Sequence, residues 1–330
     1  MKILFYNNKI IYSVINDKIY VSNNFSIQTP ELLIKLPLSF IEVILYRLPL
    51  INRLFRRTIN HLTVVNNFII IFTNKSIFKY DTISKEIIKY NQYTIDYRVL
   101  TLCNYNEKIY FGEYKSNSTR SPIRLLELDP RTMSIKTIHT FEGIRHIHGV
   151  FFDKYTDKFW ITTGDSDVES IIWSTDKSFN NFERVVYGSQ LFRAVKLLFT
   201  EKFIYYGTDS PLAQNYICRI NRITNKVEKL QKIDSSVFWG CKVKDFLFFS
   251  TVVEPSKINT TKYSVVWCSQ DGKSWKELDR FKKDVWHAKL FQYGQVLFPS
   301  GENNSNYLYC TPFATEKHMK TIKLNFSKLF

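Results

Sequence analysis

One pattern recurs five times from residue 98 onward, and it limits the chain to a small set of architectures. A strand-like run opens with a polar or bulky residue, turns, and returns as a second run that closes with an acid. The copies read "YRVLTLCNYNEKIYFGE", "IHGVFFDKYTDKFWITTGD", "FRAVKLLFTEKFIYYGTD", "FWGCKVKDFLFFSTVVE" and "WHAKLFQYGQVLFPSGE". Their opening residues are Arg98, His148, Arg193, Trp239 and His287, and their closing residues Glu113, Asp165, Asp209, Glu254 and Glu302. Further strand-like runs follow each pair, among them "SIIWSTD", "YICRINR", "YSVVWCSQD" and "NYLYCTPF". A period of 44–52 residues with about four strands per unit is the signature of propeller blades.

Two weaker units precede these. "HLTVVNNFIIIFTNKSIFKYDTISKEIIKY" supplies four short strands, and "MKILFYNNKIIYSVINDKIYVSNN" with "ELLIKL" supplies another blade or helps to close the ring. The expected fold is therefore all-β, a single propeller over residues 1–330. It has about seven four-stranded blades, six and eight being the alternatives, and residues 98–325 hold the clearest repeats. The 16% of aromatic residues, with 20 Tyr and 27 Phe, suits strands and a large core. Residues 35–61, "KLPLSFIEVILYRLPLINRLFRRTINH", break the pattern, with two prolines, no strict alternation and a basic end. The segment is too interrupted by charge to span a bilayer. It is expected as short helices on one propeller face, or as a surface element that docks on a partner protein or an anionic membrane.

Lys and Arg (46) outnumber Asp and Glu (30), giving a formal net charge of +16. The lysines are scattered among turns rather than gathered into a stripe, so nucleic acid is not an expected partner. Five cysteines with no C-x-x-C, mostly inside apolar runs, read as reduced buried thiols. With the polar breaks in "MKILFYNNKIIYSV", they point to a cytoplasmic protein, with peripheral membrane contact through residues 35–61.

"SQDGKSW" (Ser269–Trp275) and, more loosely, "STDKSFNNF" (Ser174–Phe182) resemble the Asp-box of sialidase-like (BNR-repeat) propellers. The first is one residue short of that pattern, and the second has Ser178 in place of the usual Gly. The Asp turns the chain by bonding its own backbone, Gly permits the bend, and the aromatic packs into the blade. The resemblance implies the architecture, and through the family a carbohydrate ligand. An arginine trio and a Tyr–Glu nucleophile pair, which sialidases use, cannot be placed here; "YRLP" (Tyr46–Pro49) lies in the insert.

Propeller geometry locates a site. Inner strands start where second strands end, so the five opening and five closing residues should share one mouth. Arg98 and Arg193 would hold an anion, Trp239 would stack on a sugar, and His287, Glu113 and Glu302 would complete the binding ring. His148, Asp165, Asp209 and Glu254 would supply acid/base groups. The reading that follows is a propeller recognising, and as a glycoside hydrolase or lyase cleaving, an acidic or phosphorylated glycan or another polar anionic small molecule. The alternative is a noncatalytic scaffold. His146 and His148 share a strand face and with Asp165 or His287 could bind a metal, but two histidines alone do not define a site, and the expectation is capped strand-end histidines with no metal or cofactor.

Overall fold

The computed structural model describes residues 1–90 and 98–326. Among the described residues, six four-stranded antiparallel blades follow one another along the chain, each with its strands in sequence order; blade 1 gains a parallel fifth strand, and blade 6 is joined to the strands of blade 7. Blade 1 is built from Lys2–Asn7, Ile10–Ile15, Lys18–Ser22 and Glu31–Lys35. Blade 2 is built from Ile59–Val65, Phe68–Thr73, Ile77–Asp81 and Ile87–Tyr90. The inner pairs of blades 3 to 6 are Cys103–Tyr105 with Lys108–Gly112, His146–Asp153 with Lys158–Gly164, Ala194–Phe199 with Phe203–Thr208, and Val237–Val243 with Phe246–Val253. The structure is a β-propeller, as the repeat implies.

Inner strands read as near-continuous apolar runs because each blade is covered on both faces by its neighbours. Phe68–Thr73 is buried along all but its first residue, and Phe72 meets Phe111 of blade 3 with ring centroids 5.6 Å apart. Tyr110 meets Phe159 of blade 4 at 4.9 Å. Each such side chain contributes about 1.5–3 kcal/mol by leaving water. Outer strands carry exposed positions, as in Ile135–Phe141 and Val227–Ile233.

The turn from third to fourth strand repeats one chemistry through blades 2 to 6. Asp81, Asp129, Asp176, Asn221 and Asp271 each accept through a side-chain oxygen from the N–H two residues on, at 2.8–3.0 Å. The two Asp-box-like turns are members of this series. In the first, Gly272 has φ +69°, and Trp275 packs flat on Phe249.

Blade 7 departs from the expected register. "WHAKLFQYG" is not an inner strand: Ala288–Phe291 is a short helix, here α3, and the inner strand is Gly294–Leu297 continued by Ser300–Gly301. Tyr307–Phe313 and Ile322–Asn325 complete a three-stranded blade. Gly294 pairs with Val253 at the mouth end of blade 6, whereas Asn303 bridges to Val243 at its far end. Glu302 therefore lies on the face opposite the other closing acids.

The ring closes where Ser300 and Gly301 pair in parallel with Phe5 and Tyr6 of blade 1. Ser300 Oγ also donates to Leu4 O at 3.2 Å, and Tyr309 Oη to Phe25 O at 2.6 Å. Gly301 has φ +87°, and a Cβ there would overlap the Tyr6 carbonyl oxygen, so only glycine allows this approach.

The insert expected over residues 35–61 is narrower, since Lys35 closes blade 1 and Ile59 opens blade 2; between them lie two helices, α1 (Phe40–Arg47) and α2 (Pro49–Phe55), on the mouth face. Ser39 and Glu42 make a reciprocal capping box that starts α1, and Pro49 opens α2. Arg53, buried, reaches across to blade 7: its Nη1 lies 2.6 Å from Asp284 Oδ2, and its Nε donates to Phe291 O at 2.9 Å. α1, α2 and α3 thereby form one crown. No described helix is long and apolar enough to cross a membrane.

Replacing Gly301 with Ala should lower stability by about 1–3 kcal/mol through backbone strain and the lost close approach. Urea denaturation reads this out; an unchanged midpoint would show that closure does not depend on that glycine.

Candidate functional site

The polar cluster at the mouth is centred on blade 4. Its inner strand carries a register shift between Ile147 and Gly149, so His148 is the extra residue of a bulge. Bulges re-aim side chains, and comparable shifts occur near the start of the inner strands of blades 1, 2, 5 and 6. His146 and His148 are buried at 3% and 2% exposure, with their Nε2 atoms 3.0 Å apart. Gly164 opposite them has no room for a side chain, since a Cβ would stand 2.8 Å from His148 Cε1.

Asp165, just past the second strand, is the hub. Its Oδ1 lies 3.4 Å from His146 Nε2, 3.5 Å from His148 Nε2 and 3.0 Å from Arg193 Nη2. Arg145 Nη1 donates to Oδ2 at 2.9 Å. Arg193 joins blades 4 and 5, because its Nε also donates to Asp209 Oδ2 at 3.2 Å and its Nη1 to Asp165 O at 3.2 Å. Gln190 donates to the same carbonyl and accepts from Ser210.

The electrostatics divide the carboxylates. Burial pushes Asp165 up, but its contacts with His146 and His148 and the charge of Arg193 outweigh this and hold it well below the usual range. Burial lowers His148 to about 4 despite Asp165. Asp209 is buried, Arg193 only partly compensates, and Glu254 repels it, so its carboxyl is pushed up to about 7. Among the described residues none bonds its buried Oδ1. Burial likewise raises Glu254, which accepts from Ser236 Oγ at 3.0 Å.

Of the ten residues expected at the mouth, His148, Asp165, Arg193, Asp209 and Glu254 converge. Arg98 is exposed beside them and pairs through its backbone with Tyr114. Glu113 is fully buried and taken by Arg124, Nε to Oε1 at 2.8 Å, so it is a strut rather than a ligand group. Trp239 donates its indole N–H to Gln295 at 2.9 Å and packs in the core of blades 6 and 7. His287 caps α3 in the crown, exposed. Glu302, exposed, is on the far face. Tyr114, whose ring lies over His146 with centroids 4.0 Å apart, and Gln190 were not legible as site residues; no spacing marks them, although Tyr114 directly follows a closing acid.

No protein-family model and no curated protein matches the sequence. Solved structures do resemble it in fold. One from a crystal structure of the mitotic checkpoint complex aligns over 98% of this chain and 90% of its own, with a TM-score of 0.57 and 11% identity. The AfRom2 CNH domain aligns over 98% and 94%, with a TM-score of 0.57 and 6% identity. Oligogalacturonate lyase from Vibrio parahaemolyticus aligns over 91% and 85%, with a TM-score of 0.51 and 12% identity. At these identities the likeness establishes the propeller and nothing finer.

A raised native-state pKa makes Asp209 stabilising only while protonated. Its contribution is full below the unfolded value of about 3.9 and is lost as pH rises through about 7. Asp209→Asn should therefore gain on wild type between pH 5 and pH 8 when urea midpoints are compared. A difference that stays flat over this range would show that the Arg193 ion pair holds the carboxyl low instead, with its pH dependence falling below about pH 4.

Proposed function

We propose that this propeller is a noncatalytic docking module that seats its crown of helices on an anionic membrane surface. The observation that carries the reading is the apolar face of the crown. Phe40 is 80% exposed, Ile41 70% and Val285 95%, and Leu48, Leu54, Phe55, Trp286 and Leu290 are exposed around them. α1 packs on α2 and α2 on α3, so these residues lie on adjoining parts of the crown. A patch of this kind on a folded domain marks an interaction surface. Lys289 is exposed on α3, Arg47 is half-exposed on α1 while paired with Asp17, and the net charge of +16 complements anionic lipid. That charge favours a bilayer over a neutral protein groove. The fate of the mouth acids agrees: Glu113 and Asp165 are held by arginines, which leaves less for substrate chemistry.

A second reading rests on Asp209. A carboxyl pushed up to about 7 by burial, beside Arg193 and with one oxygen that no described residue bonds, is suited to donating a proton to an acidic or phosphorylated glycan. An acidic-glycan array with wild type and Asp209→Asn tests it; no binding, or binding and turnover unchanged in the variant, removes it.

For the docking reading, the full chain should co-sediment with vesicles containing phosphatidylserine and not with pure phosphatidylcholine. Binding should weaken with salt. The double variant Phe40→Asp/Ile41→Asp should reduce it at least tenfold, since each buried side chain supplies about 1.5–3 kcal/mol. Equal recovery of both proteins in the soluble fraction would overturn membrane docking and leave a protein partner as the occupant of the crown.

A further inference from the structure

His146, His148 and Asp165 bring two imidazole nitrogens and a carboxylate oxygen together in the buried part of the mouth. Each Nδ1 faces a backbone carbonyl: His146 Nδ1 lies 3.3 Å from Lys115 O, and His148 Nδ1 lies 3.2 Å from Ala194 O. If both Nδ1 atoms carry the proton, those contacts are hydrogen bonds, and two Nε2 lone pairs then face each other at 3.0 Å with a carboxylate oxygen 3.4–3.5 Å from each. If instead one Nε2 carries the proton, it can donate to the other Nε2 or to Asp165 Oδ1, but the Nδ1 lone pair of that ring then opposes its carbonyl; with both Nε2 atoms protonated the two N–H groups collide. With both carbonyl contacts kept, three acceptors face one another, an arrangement that a cation between them stabilises.

The spacing identifies its kind. Tetrahedral zinc with bonds of about 2.0–2.1 Å sets neighbouring ligand atoms about 3.3 Å apart, and the three separations here are 3.0, 3.4 and 3.5 Å. Among the described residues, no other group of three His, Cys, Asp or Glu side chains converges in this way. The surroundings have the form of outer-shell support: both imidazoles are oriented by carbonyls of neighbouring blades, and Arg145 and Arg193 fix the carboxylate. We propose that His146 Nε2, His148 Nε2 and Asp165 Oδ1 form a binding site for a divalent transition metal, Zn²⁺ in the first instance. Three protein ligands leave the fourth position to water or to an oxygen of a bound molecule. The guanidinium charges of Arg145 and Arg193 oppose the cation, so the affinity is below that of a closed structural zinc site. The inference does not rest on the docking reading, since the trio belongs to blade 4 and the crown to the insert and blade 7.

The test is calorimetric titration of the chelator-treated full chain with Zn²⁺. One equivalent should bind, and His146→Gln and His148→Gln should each weaken binding at least about 100-fold. Cobalt substitution should give the intense visible bands of a tetrahedral N/O site with no thiolate charge-transfer band, which separates it from the five cysteines. Wild type should also melt at a higher temperature with Zn²⁺ than with chelator, a readout that stands even if a variant fails to fold. Overturning results are the absence of a bound equivalent in wild type, a thiolate band, or unchanged affinity in folded variants.

Discussion

The backbone pairing of Ser300 and Gly301 with Phe5 and Tyr6 is the constraint on which the rest of the molecule depends. A blade cannot bury both of its faces alone, and a row of blades left open would expose an apolar sheet at each end. Joining segments nearly 300 residues apart costs chain entropy that local contacts do not. It is offset only because every interface around the ring is then satisfied at once. Closure also fixes which ends of the strands face the mouth, and so decides which polar groups can meet.

Within that frame, one arginine does much of the organising at the mouth. Arg193 touches the carboxylate and carbonyl of Asp165 and the carboxylate of Asp209, so blades 4 and 5 cannot shift independently there. Arg53 has the corresponding part in the crown, drawing α2 onto Asp284 and the carbonyl of Phe291. Both are buried charges with partners, and removing one member of such a pair typically costs about 3–5 kcal/mol. The mouth and the crown are thus rigid surfaces on one face.

The repeat made the fold legible because a blade is a local object whose strands and turns are written in consecutive residues. Five of the ten expected mouth residues meet for the same reason. The failure in blade 7 is instructive: "WHAKLFQYG" keeps the 48-residue spacing, yet the helix there answers to Arg53, more than 230 residues away. Spacing survived while the register moved by one strand, which sent Glu302 to the far face. Glu113 misled differently, since its neutralising Arg124 comes from the third strand of its own blade, and a sequence does not show which side chains cross a sheet. The outer-turn Asp81, Asp129, Asp176, Asn221 and Asp271 series was present in the sequence as a more regular marker than the Asp-box, hidden by variation between Asp and Asn.

The central claim is that the face carrying the mouth and the crown is the working face of the propeller. Hydrogen–deuterium exchange of the full chain, with and without phosphatidylserine vesicles, tests it directly. The account predicts slowed exchange confined to residues 40–55 and 285–291, with the far-face turns around Asn8, Asn66 and Asp157 unchanged. Protection at those far-face turns, with the crown unaffected, would contradict it.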